Sequence, residues 1–393
     1  MRVQLQLAPA TGSFTCRYTF TLPASDTTST IQLNLNRHFP LQRLSSPGAL
    51  RRRISRTYYS FFADTMQRVE VQYAPHNHKA RQLTLTYAGT LDKSTSTAQV
   101  MELSGHSNWV PFRSNQEYEI VKYTLAVRAP AAYQVRSTTP ALRQRRGRWL
   151  FSGRTSNIEI TALVAKQFHQ VVSATAPLIT VVKAGAALVR QDTALLHQAA
   201  AIIGFYNRTI GRQDSIARFT IFLPGTNRDA FGLLDNATVI TYPGFDVAER
   251  EYVLILAHEI SHKWWSYGSF HDYNDWLNEA FATYSSLLYL QAIGDTAGYQ
   301  QEYAKRAQTT ANTPAILGFD RDKYERSMYR RVVYNKGTVV LAALHARVGT
   351  EKFYALLATT AARKISTTAA FLEVVEQTAG PATRTWLQAE LTR

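Results

Sequence analysis

The feature that most constrains the fold is the segment His-Glu-Ile-Ser-His at residues 258–262, which directly follows an apolar run at residues 252–257. An apolar run of this kind suits a buried helix, and residues four positions apart lie on the same helix face. His258 and His262 can therefore each direct one ring nitrogen at the same cation. Glu259 is adjacent but off that line, so it can hydrogen-bond a water at the metal. The pentapeptide also arises by chance, and a catalytic metal site needs a third ligand.

A candidate third ligand, Glu279, lies in the segment Trp-Leu-Asn-Glu-Ala-Phe-Ala that begins at Trp276. Trp276, Ala280 and Tyr284 share a helical spacing, which predicts a helix packed against the histidine helix. A carboxylate in so apolar a segment is costly unless it meets a cation or another partner. Two histidines, one glutamate and an open fourth position form a known catalytic zinc arrangement. We therefore expect one Zn2+ per chain, bound by Glu279 together with the two histidines.

Cysteine content narrows the chemistry further, because Cys16 is the only cysteine among the 393 residues. The chain cannot form an internal disulfide or a cysteine zinc site, so any metal must be bound by His, Asp or Glu. A chain of this length has room for two ordinary domains or three, and it can bury a large core without disulfides.

The net charge is strongly positive, because 44 Lys and Arg residues outnumber 28 Asp and Glu residues and give +16. Arginine clusters at 51–53 and 143–148 supply much of it. Such clusters suit either an acidic partner, such as nucleic acid or anionic lipid, or solvated loops. They lack interleaved aromatic residues, and no nucleic-acid-binding motif accompanies them. We therefore favour solvated loops and expect no nucleic-acid partner.

Apolar runs in the sequence are all shorter than the roughly 18 residues of a transmembrane helix. The first seven residues, Met-Arg-Val-Gln-Leu-Gln-Leu, alternate like a strand instead of forming the apolar core of a signal peptide. We expect a soluble protein without a transmembrane segment. The sequence leaves its compartment and its oligomeric state open.

The first 165 residues are rich in predicted strands. Apolar residues alternate with polar ones at 3–7, 31–35 and 83–87, and turn signals separate these runs. Segments of this length and spacing favour an antiparallel sheet or a sandwich. We therefore predict an N-terminal antiparallel β domain at residues 1–165.

The pattern changes after residue 165. Residues 187–207 have the apolar spacing of a helix, and 217–223 and 239–242 have the composition of short strands. From residue 248 onward the pattern is mainly helical. The order of strands followed by helices predicts an α+β fold, with a mainly helical catalytic domain at residues 166–393.

Two further segments accompany the metal motif, Val-Tyr-Asn-Lys-Gly at 333–337 and Trp-Val-Pro at 109–111. Together with 258–264 and 276–279, they make the chain resemble the aminopeptidase N family, which includes leukotriene hydrolase and belongs to the gluzincin zinc metallopeptidases. The resemblance implies an N-terminal β domain, a thermolysin-like catalytic domain and zinc binding by Glu279.

The resemblance also implies roles for two tyrosines. Tyr334 stands in a Tyr-x-Lys-Gly segment, which implies that its hydroxyl donates a hydrogen bond to the oxyanion of the tetrahedral intermediate. A phenol suits that role on chemical grounds, because it can donate to developing negative charge. The alternative for Tyr334 is a buried structural tyrosine. Tyr329 stands where the family often has a second active-site tyrosine.

The sequence departs from the family pattern in the substrate-binding strand. The family has a Gly-x-Met-Glu-Asn strand that binds the free amine of the substrate, whereas this chain has Gly-Leu-Leu-Asp-Asn at 232–236. Asp235 keeps the charge on a side chain one methylene shorter. Ser286 stands where the family often has a further carboxylate, which orients the metal ligands. The chain also resembles a short form without the C-terminal helical domain of longer relatives.

These features predict a zinc-dependent aminopeptidase in which Glu259 is the general base. We expect Asp235 to bind the ammonium of a peptide substrate, with Gly232, Asn236 and Tyr329 beside it. An endopeptidase or another zinc hydrolase on the same scaffold remains an alternative, and so does a non-catalytic peptide-binding relative.

Overall fold

The computed structural model describes residues 1–75, 79–226, 229–242 and 244–393. Its N-terminal part is built from strands, as their alternating apolar residues predict. The strands are β1 Arg2–Ala8, β2 Ser13–Leu22, β3 Thr30–Asn36, β4 Leu41–Ser45, β5 Arg51–Tyr59, β6 Asp64–Gln72, β7 Arg81–Thr90, β8 Val100–Leu103, β9 Phe112–Arg113, β10 Ile120–Arg128, β11 Gln134–Arg136, β12 Arg143–Arg145, β13 Arg148–Ser156 and β14 Ala162–Ala165.

These strands form three sheets. A seven-stranded sheet has the order β12-β13-β10-β1-β2-β7-β4, a four-stranded sheet the order β5-β6-β3-β9, and a three-stranded sheet the order β11-β14-β8. Neighbours are antiparallel except β1 and β10, which run parallel in register Val3 with Leu125. The predicted antiparallel domain is therefore right apart from this one pairing, which period-2 patterns cannot reveal because they are the same for either strand direction.

The remainder of the chain combines one sheet with helices. Its strands are β15 Phe168–Val172, β16 Leu178–Ala184, β17 Arg218–Leu223, β18 Phe231–Gly232 and β19 Thr238–Ile240. Its helices are α1 Arg190–Thr209, α2 Arg250–Ser261, α3 Trp276–Ala292, α4 Thr296–Gln308, α5 Arg326–Tyr329, α6 Gly337–Val348, α7 Thr350–Ala362, α8 Thr368–Ala379 and α9 Pro381–Thr392, with a π-helix at Arg330–Lys336. The sheet order is β15-β16-β17-β19-β18, so the two-residue strand β18 forms an edge. This architecture confirms the predicted α+β class.

A small apolar cluster joins the two parts of the chain. Leu163 of β14 packs with Val182, Phe222, Leu233 and Ile240 of the second sheet. Strand β14 ends at Ala165 and pairs with β8, whereas β15, which begins at Phe168, pairs with β16. We propose domains at residues 1–165 and 166–393 on the basis of this change of sheet.

Helix α3 lies against α2, as its spacing predicts, but the face formed by Trp276, Ala280 and Tyr284 points elsewhere. A Cβ atom added to Gly337 of α6 would lie 2.5 Å from the Ala280 Cβ atom. The Tyr284 hydroxyl contacts His345 Nδ1 of α6 at 2.8 Å. This face of α3 therefore packs against α6, and Glu279 lies on the side of α3 that faces α2.

Among the described residues, the structure has no helix that is long and apolar enough to cross a membrane.

Candidate active site

The three predicted metal ligands come together between α2 and α3. The Nε2 atoms of His258 and His262 lie 3.2 Å apart. Glu279 Oε2 lies 3.3 Å from the first and 3.9 Å from the second. One ligand atom from each residue falls within 4.8 Å of the others. Three donor atoms converging on one point are the arrangement expected of a metal centre, and they come from two helices whose packing fixes their separation.

Hydrogen bonds on the outer side of the imidazoles fix which ring nitrogen faces the centre. His262 Nδ1 lies 2.9 Å from the carbonyl oxygen of Trp265, which can only accept, so Nδ1 carries the proton. Its Nε2 is then unprotonated, and the lone pair of this atom is available to a metal. His258 Nδ1 lies 3.4 Å from Thr283 Oγ1, a hydroxyl that can donate or accept, so this contact is compatible with either tautomer. His262 therefore presents an unprotonated Nε2 to the point that His258 Nε2 also faces.

Glu279 supplies the observation that tests whether a metal fits. Its Oε2 is buried and has no hydrogen-bond partner among the described residues, although it points at both imidazoles. Burial opposes ionisation of Glu279, but the two histidines and a hydrogen bond from Tyr334 outweigh it and lower its pKa. An ionised carboxylate with an unpartnered buried oxygen requires a cation. Two imidazoles and a carboxylate are the donor set that suits zinc.

Glu259 is held beside this centre by an edge strand. The Gly232 N–H of β18 donates a 2.7 Å hydrogen bond to Glu259 Oε2. A Cβ atom at Gly232 would lie 1.9 Å from the Glu259 backbone oxygen, so only glycine allows this approach of strand and helix. Burial raises the pKa of Glu259 to about 7. Its other carboxylate oxygen, Oε1, remains for a proton-transfer role.

Tyr334 lies on the π-helix, which turns its ring towards the metal ligands. The ring stacks with that of His258 at an interplanar angle of 6° and a centroid distance of 6.2 Å. Its hydroxyl hydrogen-bonds Glu279, and burial and this carboxylate raise its pKa well above the usual value. Tyr334 therefore stays protonated and can donate. The Arg330 guanidinium lies 4.9 Å from the centre of the same ring.

Tyr329 is also near the centre, but its hydroxyl is engaged. It donates to Asp275 Oδ2, and its ring meets that of Tyr334 edge to face at 5.9 Å. Burial and the Glu279 carboxylate raise the pKa of Asp275. The Arg321 guanidinium covers the Tyr329 ring at 4.5 Å. Tyr329 thus supports Tyr334 and Asp275 in one network.

A large cavity of about 810 Å³ opens in front of the metal ligands and is lined by both parts of the chain. The N-terminal part contributes aromatic side chains, which are Phe61, Phe62 and Tyr118, and the buried carboxylate of Glu159. The second part contributes the predicted residues Gly232 and Tyr329, and Phe231 beside them. We refer to this space as the acidic cavity, because among the described residues four carboxylates other than that of Glu259 line it, against two arginines, Arg321 and Arg326. The four carboxylates are those of Glu159, Asp275, Glu279 and Asp322.

Asp235 and Asn236 are not among the described residues that line the acidic cavity. Asp235 adopts a left-handed backbone conformation with φ of 51°. Its carboxylate lies within 3.5 Å of cationic atoms of Arg154, Lys263 and Lys364. Asn236 Nδ2 donates to the Arg154 carbonyl oxygen at 3.0 Å. The Asp235 N–H donates to the His262 carbonyl oxygen at 3.4 Å, so this turn lies against the end of α2. Its carboxylate does not line the acidic cavity, and the expected amine contact of Asp235 finds no support among the described residues.

Glu159 is a candidate that the sequence reasoning missed. Its side chain is buried, and its Oε2 accepts a 3.0 Å hydrogen bond from the Leu234 N–H at the end of the edge strand. Burial raises its pKa to about 7. One signal was available: Glu159 is the only charged residue in the otherwise uncharged run 155–165. A buried carboxylate in such a run is costly, so it needs a function or a partner.

Comparison with known proteins agrees with this geometry. Residues 238–378, which include all three metal ligands, match the family model described as the Peptidase family M1 domain. Probable aminopeptidase 1 of Saccharolobus solfataricus is 30% identical over 138 residues, which are 33% of this chain and 17% of that protein. The chain therefore spans about a sixth of the length of this curated relative.

Solved structures are similar over the whole length. A variant of an M1 zinc metallopeptidase from Deinococcus radiodurans, bound to a Tyr-Ser-Ala substrate, is 19% identical with a TM-score of 0.72. The alignment covers 100% of this chain and 93% of that one. A two-domain M1 zinc metallopeptidase variant bound to L-arginine is 18% identical with a TM-score of 0.73, over 100% and 93% of the two chains. At these identities the likeness concerns the fold.

Proposed function

We propose that this chain, whose residues 238–378 match the Peptidase family M1 domain, is a zinc-dependent aminopeptidase. The observation that carries the proposal is the unpartnered Oε2 of Glu279 between two imidazole Nε2 atoms, at the edge of a cavity open to substrate. His258, His262 and Glu279 hold the zinc. When bound, zinc acts as a Lewis acid on the peptide carbonyl and lowers the pKa of water.

Glu259 is the general base. One of its oxygens is occupied by the Gly232 N–H, so Oε1 accepts a proton from the attacking water and later returns it to the leaving amine. Before a metal binds, burial raises the pKa of this carboxylate to about 7, and a raised pKa favours acceptance of a proton.

Tyr334 donates its phenolic hydrogen to the oxyanion that forms as water attacks the carbonyl. Its raised pKa keeps the proton in place, and stacking on His258 fixes the ring beside the metal. To reach the oxyanion, the hydroxyl exchanges its hydrogen bond to Glu279 for one to substrate. Such a donor acts where the charge develops, which is the source of its catalytic effect.

Glu159 is our choice for the carboxylate that binds the substrate ammonium. It lines the acidic cavity beside Glu259, whereas Asp235 is already surrounded by three cations. An ammonium docked at Glu159 gains a charge-assisted hydrogen bond and removes the cost of an unpaired buried carboxylate. The aromatic side chains Phe61, Phe62 and Tyr118 line the same cavity and suit an apolar first residue of the substrate.

The test compares matched peptides with free and acetylated N-termini, using zinc-loaded protein and its Glu259→Gln variant. We expect the parent protein to cut the free-amine peptides only, and the variant to cut neither. Cleavage of both peptides at equal rates would leave the zinc site catalytic but exclude the aminopeptidase assignment.

An endopeptidase is the second candidate, and one observation favours it. Asp235, the residue expected to bind the amine, lies outside the acidic cavity, so the proposed amine recognition rests on Glu159 instead. A non-catalytic peptide-binding relative is distinguished by the absence of any cleavage while both peptides still bind.

A further inference from the structure

A second, smaller cavity of about 330 Å³ lies on the other side of the proposed catalytic residues. Among the described residues, it shares only His258, Glu259 and Tyr334 with the acidic cavity. The bond to be cut must lie at this junction, because the metal ligands, the base and the oxyanion donor are there. A peptide bound across the junction therefore extends into both cavities, one on each side of its scissile bond.

The smaller cavity is basic, and we refer to it as the basic pocket. Three cations line it, Lys305, Arg306 and Arg330, against the single acid Glu302 besides the shared base. Arg306 and Glu302 neutralise each other through a 2.6 Å ion pair. Lys305 and Arg330 make no ion pair with any residue that the structure describes. Two unpaired cations therefore remain to attract an anion.

Arg330 also links this pocket to the proposed chemistry. Its guanidinium lies 4.9 Å from the centre of the Tyr334 ring. An anion bound by Arg330 is therefore separated from the junction by about the width of that ring. That separation suits a group carried by the residue immediately after the scissile bond. Arginine matches a carboxylate well, because its planar fork can donate two parallel hydrogen bonds.

The opposite charges of the two cavities give the cleft a direction. Carboxylates, together with Arg321 and Arg326, line the side that receives an ammonium, whereas Lys305 and Arg330 remain as unpaired cations on the other side. A short peptide has an ammonium at its start and a carboxylate at its end, so it fits this polarity in one orientation only. Electrostatic complementarity of this kind selects a partner by disfavouring those with the wrong charge.

We propose that the basic pocket binds a carboxylate on the leaving side of the scissile bond, which makes short peptides with a free C-terminus, or with an acidic residue after the cleavage site, the preferred substrates. This rests on the proposed aminopeptidase function. Lys305 and Arg330 are the specificity-determining residues. They act on the leaving part of the substrate and take no part in proton transfer.

The experiment uses four dipeptides with the zinc-loaded protein. Phe-Ala against Phe-Ala amide tests the terminal carboxylate, and Phe-Glu amide against Phe-Gln amide tests the acidic side chain. A charge-assisted hydrogen bond in a partly exposed site predicts a preference of about tenfold in kcat/KM for the anionic member of at least one pair. Binding of the same peptides to the Glu259→Gln variant, measured by calorimetry, gives the ratio of affinities without turnover.

Variants identify the residues. Lys305→Gln is expected to reduce the preference to roughly threefold, and the Lys305→Gln, Arg330→Gln double variant to roughly one. Lys352→Gln, an exposed lysine of α7, is the matched control and should keep the parent preference. Equal kcat/KM and equal affinity within both pairs, or a preference that survives in the double variant, would overturn the proposal. Absence of cleavage with a retained affinity ratio would instead refute the aminopeptidase function and leave the pocket assignment standing.

Discussion

Helices α2 and α3, which carry the predicted metal ligands, and the segment 232–236 were both expected to contribute to one site. Only the helices do so fully. His258, His262 and Glu279 project from α2, its C-terminal end and α3 to a common point. The segment 232–236 divides: Gly232 hydrogen-bonds the base, whereas Asp235 turns away into a cluster of cations. The difference shows that a motif is reliable to the extent that regular secondary structure determines where each of its side chains points.

The physical reason lies in the backbone. On a helix, spacing alone fixes direction, so residues four apart must share a face. Gly232 lies in strand β18, but Asp235 follows it in a turn with φ of 51°, and no periodicity defines the direction of a side chain there. A sequence match therefore transfers the role of Gly232 more securely than that of Asp235.

The largest expected effect is loss of the metal. We expect His262→Ala to reduce bound zinc from one per chain to nearly none and to abolish turnover, because two remaining ligands do not close the site. The melting temperature should also fall, since the metal stabilises the folded state by binding to it. His197→Ala, an exposed histidine of α1, is the control. Full zinc content in His262→Ala, measured by elemental analysis, would contradict the ligand assignment.

The second largest effect is expected for loss of the general base, Glu259. Glu259→Gln keeps the hydrogen bond from Gly232 N–H but cannot accept a proton, so we expect kcat to fall by roughly 10²- to 10⁴-fold with zinc retained. Glu251→Gln, exposed on the first turn of the same helix, should retain parent activity. An active Glu259→Gln enzyme would mean that another group takes the proton.

Removing the oxyanion donor is expected to cost less. Tyr334→Phe keeps the ring that stacks on His258 but loses the hydroxyl, so kcat should fall by roughly 10²- to 10³-fold with little change in KM. Tyr58→Phe, on an exposed tyrosine of the N-terminal part, serves as the control. An unchanged kcat would make Tyr334 a structural tyrosine.

Much of the fold was predictable, because it depends on local pattern. The strands expected at 3–7, 31–35 and 83–87 lie within β1, β3 and β7, and the helix expected at 187–207 is α1. That His258, His262 and Glu279 would converge on one point was predictable for the same reason. Their assignment as ligands stays a prediction until zinc is measured.

The cavity walls were not predictable, because they combine residues that are remote in sequence. Glu159 meets the edge strand through the Leu234 N–H, 75 residues further along the chain. Lys305 and Arg330 line one pocket from α4 and the π-helix. Each is an ordinary charged residue in its own segment, and only tertiary packing gives it neighbours that suggest a role.

A smaller effect is expected for the Glu159→Gln variant, which tests the carboxylate proposed to bind the substrate ammonium. If Glu159 binds the substrate ammonium, this variant should weaken binding of a free-amine ligand such as phenylalanine amide by about tenfold. Calorimetry in a Glu259→Gln background isolates binding from turnover. An equal loss of affinity for free-amine and acetylated ligands, measured by the same calorimetry, would point to a structural role instead.

The same carboxylate should make binding depend on pH. Burial raises the pKa of Glu159 to about 7, so it gains a proton as the pH falls below that value and loses its attraction for an ammonium. Affinity for phenylalanine amide should therefore be highest near pH 7 and decline towards pH 5.5, and above pH 7 it should fall again as the α-amine of the ligand loses its own proton. In the Glu159→Gln variant the affinity should stay constant between pH 7 and pH 5.5. If the decline were unchanged in this variant, the titration would belong to another group.

The smallest effect is expected for Asp235→Asn, and it is the variant that most directly tests the contrast between helix and turn. Asp235 lies among Arg154, Lys263 and Lys364, so removing its charge should lower the free energy of unfolding by about 1 kcal/mol, as for a partly exposed ion-pair network. KM for free-amine peptides should change less than roughly twofold, because the carboxylate is outside the acidic cavity. If Asp235→Asn instead raised KM strongly for free-amine peptides and Glu159→Gln did not, the amine would bind at the turn after all. The motif would then predict its turn residue as securely as its strand residue, and the distinction drawn from backbone geometry would fail.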